Sequence, residues 1–229
     1  MQKLILWDID GTLLYSGGVA GEAMRASMQR VYGSASTAER HSYAGKTDRQ
    51  IILETFAGRD HDELISSIDH FTATYIEELT GRRDEFLARC RVLEGVLPAL
   101  ERLTTADTLQ SVLTGNLQPI AKIKLDLMGL TRFLDLDIGA YGSDHHRRTE
   151  LVPIATARAA QRYGRTFTGT DVVVIGDTPH DIDCGRAAGA RTIAVATGPF
   201  AADALRAHGA ASVLENLADT DAVIAAIMG

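Results

Sequence analysis

The chain has 229 residues, 45% of them hydrophobic, which suits one large domain or two small ones with a sizeable core. Its formal net charge of −7 supplies no basic surplus for counterion release, which argues against nucleic-acid and anionic-membrane partners. The two cysteines, Cys90 and Cys184, stand in no metal-type or CxxC spacing, so reduced thiols and a cytoplasmic setting are expected. The first apolar run stops at Asp8, short for a signal peptide, and no stretch nears the ~18 apolar residues of a membrane span.

Lys3 to Trp7 is an apolar run of the right length for a buried parallel strand. It ends in Asp8-Ile9-Asp10-Gly11-Thr12, and Tyr15-Ser16-Gly17-Gly18 follow as a flexible joint. From Val19 to about Cys90 the periodicity is helical, without a convincing buried strand. One helix is predicted over Val19 to Tyr32, closed by Gly33, and a second is capped by Thr47 and runs through Ile51, Ile52 and Phe56. A third carries Leu64, Ile65, Ile68, Phe71, Tyr75, Ile76 and Leu79 at three- and four-residue spacing and ends at Gly81.

Beyond Val92 the pattern alternates. Helices are predicted at Pro98 to Leu103, Ile120 to Leu127, Leu151 to Tyr163, Asp181 to Ala188, Ala201 to Ala207 and Ala218 to Met228. Strands are predicted at Leu109 to Leu113, Leu136 to Ala140, Val172 to Ile175, Thr192 to Ala196 and Ser212 to Leu214. Alternation of this kind implies right-handed crossovers and a parallel sheet. An all-helical insert therefore separates the first strand from the rest of an α/β core.

Ligands of open α/β sheets bind beyond the carboxyl ends of the strands. Asp8 and Asp10 stand at such an end, one residue apart, and would repel unless a cation or a shared proton offsets them. Ser111-Val112-Leu113-Thr114-Gly115-Asn116 is a second strand closing on small polar groups. Asp171 to Ile175 is a third, closing on Gly176-Asp177-Thr178-Pro179-His180-Asp181. These strand ends, in this order, resemble the haloacid dehalogenase superfamily. Its first motif is DxDG[TV], its second a hydrophobic strand ending in Ser or Thr, and its fourth GDxxxD. The resemblance covers essentially the whole chain and is similar in layout to the helical-cap branch that holds phosphoglycolate phosphatases and β-phosphoglucomutases.

The resemblance implies a Rossmann-like α/β core, residues 1–15 and 91–229, with an inserted helical cap domain, residues 16–90. It implies that Asp8 attacks phosphorus and that Asp10 protonates the leaving oxygen, then activates water. Metal ligation falls to Asp8, the backbone carbonyl of Asp10, Asp177 and Asp181. Ligation by oxygen alone, with room for phosphate and water, favours Mg²⁺. Asp181 also suits a helix N-terminus on dipole grounds. Thr114 and the backbone of Gly115 and Asn116 are candidates to grip phosphate oxygens beside the helix that follows Pro119.

The family's third motif needs a cation and commonly reads Lys-Pro. Here the stretch is His145-His146-Arg147-Arg148-Thr149-Glu150-Leu151-Val152-Pro153, so Arg148 is the candidate, with Arg147 in reserve. The adjacent histidines should point apart and suit a surface better than a metal. Gly45-Lys46-Thr47 is not a phosphate-binding P-loop, because position 40 is Arg and no apolar strand precedes it. In the helical-cap branch this turn faces the active site, which makes Lys46, Thr47, Asp48 and Arg49 specificity candidates; a capped helix start with solvated charges is the other reading.

The expected activity is Mg²⁺-dependent hydrolysis of a small phosphorylated metabolite by a monomer or homodimer. Two alternatives are a phosphomutase and a catalytically idle binding protein. Sugar phosphomutases of this branch typically carry a His about ten residues after the first motif and a Lys before the cap glycine, where this chain has Ala20 and Ala44. Four unpaired acids have no purpose in an idle site.

Overall fold

The computed structural model describes residues 3–34 and 42–229, so Arg40 and the first two residues of the expected core lie outside the described residues. The chain opens with β1 (Lys3–Trp7), whose Leu4, Ile5, Leu6 and Trp7 are fully buried. Their side chains alternate across the sheet: Ile5 and Trp7 join one hydrophobic cluster, Leu4 and Leu6 another. A strand that feeds two cores is central, and β1 pairs in parallel with β4 (Thr108–Val112) on one side and β5 (Val172–Gly176) on the other. The sheet continues through β6 (Arg191–Val195) to β7 (Ser212–Leu214), giving the order β4-β1-β5-β6-β7, all parallel. The fold is thus the parallel α/β class expected from the alternating pattern, and Rossmann-like as the resemblance implies.

Between β1 and β4 lies the helical cap: α1 (Val19–Tyr32), α2 (Asp48–Thr55), α3 (His61–Ser66), α4 (Ile68–Gly81) and α5 (Arg83–Arg89). These helices pack around their own cluster, which includes Met24, Ile52, Phe71, Tyr75 and Phe86. The chain segments on either side pair antiparallel with each other, β2 (Leu14–Tyr15) with β3 (Arg91–Val92), so the cap leaves the core and returns at one point.

The core helices are α6 (Val96–Thr104), α7 (Gln118–Leu127), α8 (Leu151–Tyr163), α9 (Pro179–Ala187), α10 (Ala202–Ala207) and α11 (Thr220–Met228). Helix α7 spans both units. Ile120 packs into the cap cluster, while Ala121 and Leu125 pack into the sheet's core.

Two local expectations are corrected. The third predicted helix is two, α3 and α4, broken at Ser67. The hydroxyls of Ser66 and Ser67 both donate to the Glu63 carbonyl, competing with the helical ladder. The predicted strand over Leu136 to Ala140 makes a single bridge, Leu113 to Ala140. The Asp135 carboxylate accepts from the Asp137 N–H at 3.1 Å, a local turn in place of continuous ladder pairing. Helix α5 and the β2–β3 pair carry too few residues to produce a periodic pattern. Among the described residues no helix is long and apolar enough to cross a membrane.

Candidate active site

Asp8 follows β1 directly. Its N–H donates to the Ile175 carbonyl at 2.8 Å, and the Leu113 N–H donates to the Trp7 carbonyl, also at 2.8 Å. The ends of β1, β4 and β5 are thereby held side by side. A cavity of about 490 Å³ opens above them, between core and cap. Asp8, Asp10, Thr114, Gly115, Asn116, Arg148 and Asp177 line it from the core, and Lys46 and Asp48 from the cap. Arg49 does not line it, and neither does Asp181, which is buried beneath it.

Arg148 is the cation of the Asp8 cluster. The guanidinium is 5% exposed, and Nη2 donates to Asp8 Oδ1 at 2.7 Å, to Asp181 Oδ1 at 2.5 Å and to the Leu113 carbonyl at 3.2 Å. Burial opposes its charge, but Asp181 and Asp8 outweigh that and hold it well above the ordinary arginine range. Arg147 is exposed. The other Asp181 oxygen accepts from the backbone N–H and hydroxyl of Thr178, at 3.0 and 2.7 Å, as half of a capping box at the start of α9. Asp181 therefore both orders the helix and orients Arg148. His145 and His146 do not point apart; their rings stack at 4.6 Å, outside the cavity.

Burial, with Asp8 and Asp181 adding repulsion, pushes Asp177 up to about 9. Burial likewise raises Asp8 to about 7, with Arg148 pulling the other way. Asp177 has only the Thr12 hydroxyl, at 3.4 Å, as a hydrogen-bonding side chain and pairs with no cation among the described residues. Oxygens of Asp8, Asp177 and Asp181 lie within 4.8 Å of one another. Two glycines give Asp177 its room: a Cβ on Gly11 would fall 2.4 Å from Asp177 Oδ2, and one on Gly198 1.7 Å from it. Hard oxygen donors crowded around a carboxylate without a counter-charge fit a divalent cation such as Mg²⁺.

Asp10 faces a different environment. Lys124, 2% exposed, lies 3.0 and 2.7 Å from its two oxygens and donates to Asn116 Oδ1 at 2.7 Å. Asn116 Nδ2 donates to Asp10 Oδ2 at 2.8 Å and to the Thr114 hydroxyl at 2.8 Å. Burial pushes the Asp10 carboxyl up, but Lys124, Asn116 and Ser16 together bring it below the usual carboxylate range. Sequence reasoning missed Lys124. The signal was present, since Lys124 falls in phase with Ile120, Ala121 and Leu125 on the buried face of α7, where an unpaired lysine is untenable. It also missed Thr197, whose hydroxyl donates to the Gly11 carbonyl at 2.5 Å from the loop after β6.

The cap turn is bonded to the core. The Asp48 N–H donates to the Gly115 carbonyl, and the Leu117 N–H donates to Asp48 Oδ2, each at 2.8 Å. The Thr47 hydroxyl donates to the His146 carbonyl at 2.6 Å and accepts from the Gln50 N–H, capping α2. Gly115 permits this approach, because a Cβ there would meet the Lys46 carbonyl at 2.0 Å. Lys46 forms an ion pair with Glu54 at 2.5 Å.

Strand-end carboxylates, a buried guanidinium and a helical cap define a class of hydrolase, and comparison with known proteins agrees. Residues 5–195 match the haloacid dehalogenase-like hydrolase family, and the chain belongs to that family. Phosphoglycolate phosphatase of Xanthomonas campestris is 26% identical over 86% of this chain and 84% of its own. Pyrophosphatase PpaX of Bacillus pumilus is 25% identical over 97% of this chain and 96% of its own. A hydrolase from Pseudomonas syringae, 18% identical, covers 100% of both chains with a TM-score of 0.72 and shares the fold.

Proposed function

We propose that this phosphohydrolase cleaves a small phosphate monoester through an aspartyl-phosphate on Asp8, with Mg²⁺ as cofactor. The observation that carries this is the division of labour between two carboxylates at one strand end. Asp8 Oδ1 is held by Arg148 within the acid cluster, whereas Asp10 is held by Lys124 and Asn116. One is oriented as a nucleophile and the other as an acid and base.

An Asp8 oxygen bonds to phosphorus as the bond from phosphorus to the ester oxygen breaks. The departing oxygen takes a proton from Asp10 and leaves as the alcohol. Asp10 then takes a proton from water as the water oxygen attacks phosphorus, the bond to Asp8 breaks, and inorganic phosphate is released. In the resting site Lys124 favours ionised Asp10, which suits the second step. The negative charge of an entering phosphate favours the protonated form needed for the first. Arg148 and the Thr114 hydroxyl, whose lone pairs already accept from Asn116, present donors to the phosphoryl oxygens, and Lys124, bonded to Asp10, adds its charge beside them. Asp8, Asp177 and Asp181, with the Asp10 carbonyl, would hold Mg²⁺, which when bound neutralises phosphate charge and the repulsion between Asp8 and Asp177. Residues 16–90 act as the cap that covers the reacting group.

The test is turnover of p-nitrophenyl phosphate by the purified chain with Mg²⁺ and with excess chelator. Turnover in Mg²⁺ that chelator abolishes is expected. Full activity in chelator overturns the metal assignment, and inactivity in both favours the idle binding protein.

A further inference from the structure

The core wall of the cavity serves the phosphoryl group; the cap wall must serve whatever the phosphate is attached to. That wall is mostly carbon. Met24 from α1, Ile51 from α2 and Tyr75 from α4 line it, with Tyr43 beside them. The Tyr75 hydroxyl is already committed to the Ala20 carbonyl at 3.0 Å, so Tyr75 offers the cavity its ring and not a donor. Among the described residues that line the cavity from the cap, two are charged, Lys46 and Asp48. Lys46 is paired with Glu54 at 2.5 Å, and Gln50 donates to the other Glu54 oxygen at 2.8 Å. Asp48 is a buried carboxylate with one oxygen held by the Leu117 N–H.

From this wall we infer that the enzyme selects monoesters of uncharged, partly apolar alcohols and discriminates against leaving groups that carry a second anion, such as glycolate or a further phosphate. A carboxylate or phosphate placed here would face Asp48 and would have to share Lys46 with Glu54, whose charge already offsets it. An anion that must share its only cap cation while facing a buried carboxylate is disfavoured in such a site. An uncharged alcohol meets no such penalty. Its carbon face is buried against Met24, Ile51 and Tyr75, and a hydroxyl can donate to Asp48. This substrate class presupposes the hydrolysis proposed above, and it departs from the substrates for which the two curated relatives are named.

The test is a comparison of kcat/KM in Mg²⁺ for p-nitrophenyl phosphate, a neutral alkyl phosphate, 2-phosphoglycolate and pyrophosphate. The two uncharged leaving groups should be preferred by on the order of tenfold or more. Glu54→Gln releases Lys46, and Asp48→Asn removes the facing charge while keeping an acceptor for the Leu117 N–H. Each should raise the ratio of 2-phosphoglycolate to p-nitrophenyl phosphate turnover. A wild-type enzyme that turns over 2-phosphoglycolate or pyrophosphate as well as the neutral esters overturns the inference and leaves the hydrolase intact. Ratios unmoved by both variants overturn it as well. Inactivity towards all four compounds overturns the hydrolysis itself and the substrate class with it.

Discussion

On the core side of the cavity, polar side chains from separate strand ends and from α7 bond to one another. Asp8, Arg148 and Asp181 form one set, and Asp10, Lys124 and Asn116 the other. On the cap side the surface is carbon from three helices, interrupted by one paired lysine and one aspartate. The core network is rigid because its groups sit at the ends of a fully buried sheet, and chemistry needs such fixed geometry. The cap wall rests on helices joined to the core at β2–β3 and at the Gly45 to Asp48 turn. Its composition can therefore change what is accepted without disturbing what is done to it.

If the core wall is where the chemistry lies, Asp8→Asn should have the largest effect. The amide is a far weaker nucleophile, and turnover of p-nitrophenyl phosphate should fall more than a hundredfold, about 2.7 kcal/mol or more in barrier. Circular dichroism should stay close to wild type. Retention of more than about a hundredth of the activity breaks the assignment of Asp8.

Lys124→Met comes next. Asp10 then loses the charge that holds it below the usual carboxylate range, so the alkaline limb of the kcat/KM profile, where Asp10 must still carry the proton it gives the leaving oxygen, should move to higher pH. The rate should fall about 10²-fold. An unmoved limb would mean that Lys124 packs against the site without tuning it.

Asp177→Asn separates catalysis from stability. In chelator the folded state holds a proton on Asp177 up to about 9, far above the unfolded value of 3.8. The folded state thus binds more protons across that window, and wild-type stability falls as pH rises through it. The inactive Asn variant escapes this loss. Its Tm in chelator should exceed that of wild type at pH 8, the gap should narrow towards pH 4, and Mg²⁺ should stabilise wild type alone. A variant less stable than wild type at pH 8 would contradict this.

The smallest effect belongs to the cap turn. Thr47→Ala removes an N-cap acceptor and the donor to the His146 carbonyl. It should cost about 1 kcal/mol, or roughly 2–4 °C in Tm, with the ranking of substrates unchanged. A changed ranking would show that the turn selects substrate through Thr47 as well as docking the cap.

The core chemistry was legible because it is local in sequence. Asp8, Asp10 and Asp177 each end an apolar run, and strand ends converge in any parallel sheet, so the motif and its position come from the same few residues. Arg148 was named as a candidate cation from the need for one, although nothing in the chain separated it from Arg147. Burial made that choice: one side chain sits between Asp8 and Asp181, and the other faces solvent. The Asp10 network was invisible because its partners lie at 116 and 124, and only the packing of α7 across both units brings Lys124 to position 10.

Lys46 and Arg49 show the limit most plainly. Three residues apart on one turn, they read alike as exposed cations beside a site. The fold places Lys46 on the cavity wall, already paired with Glu54, and leaves Arg49 off it. By itself the chain determined its strand order of motifs, its helical insert and the identity of its acids, because hydrophobic period and strand-end chemistry are properties of neighbouring residues. Which charges are neutralised, and what surface the insert turns towards the reacting group, depended on contacts between residues far apart in the chain, and only the tertiary structure decides those.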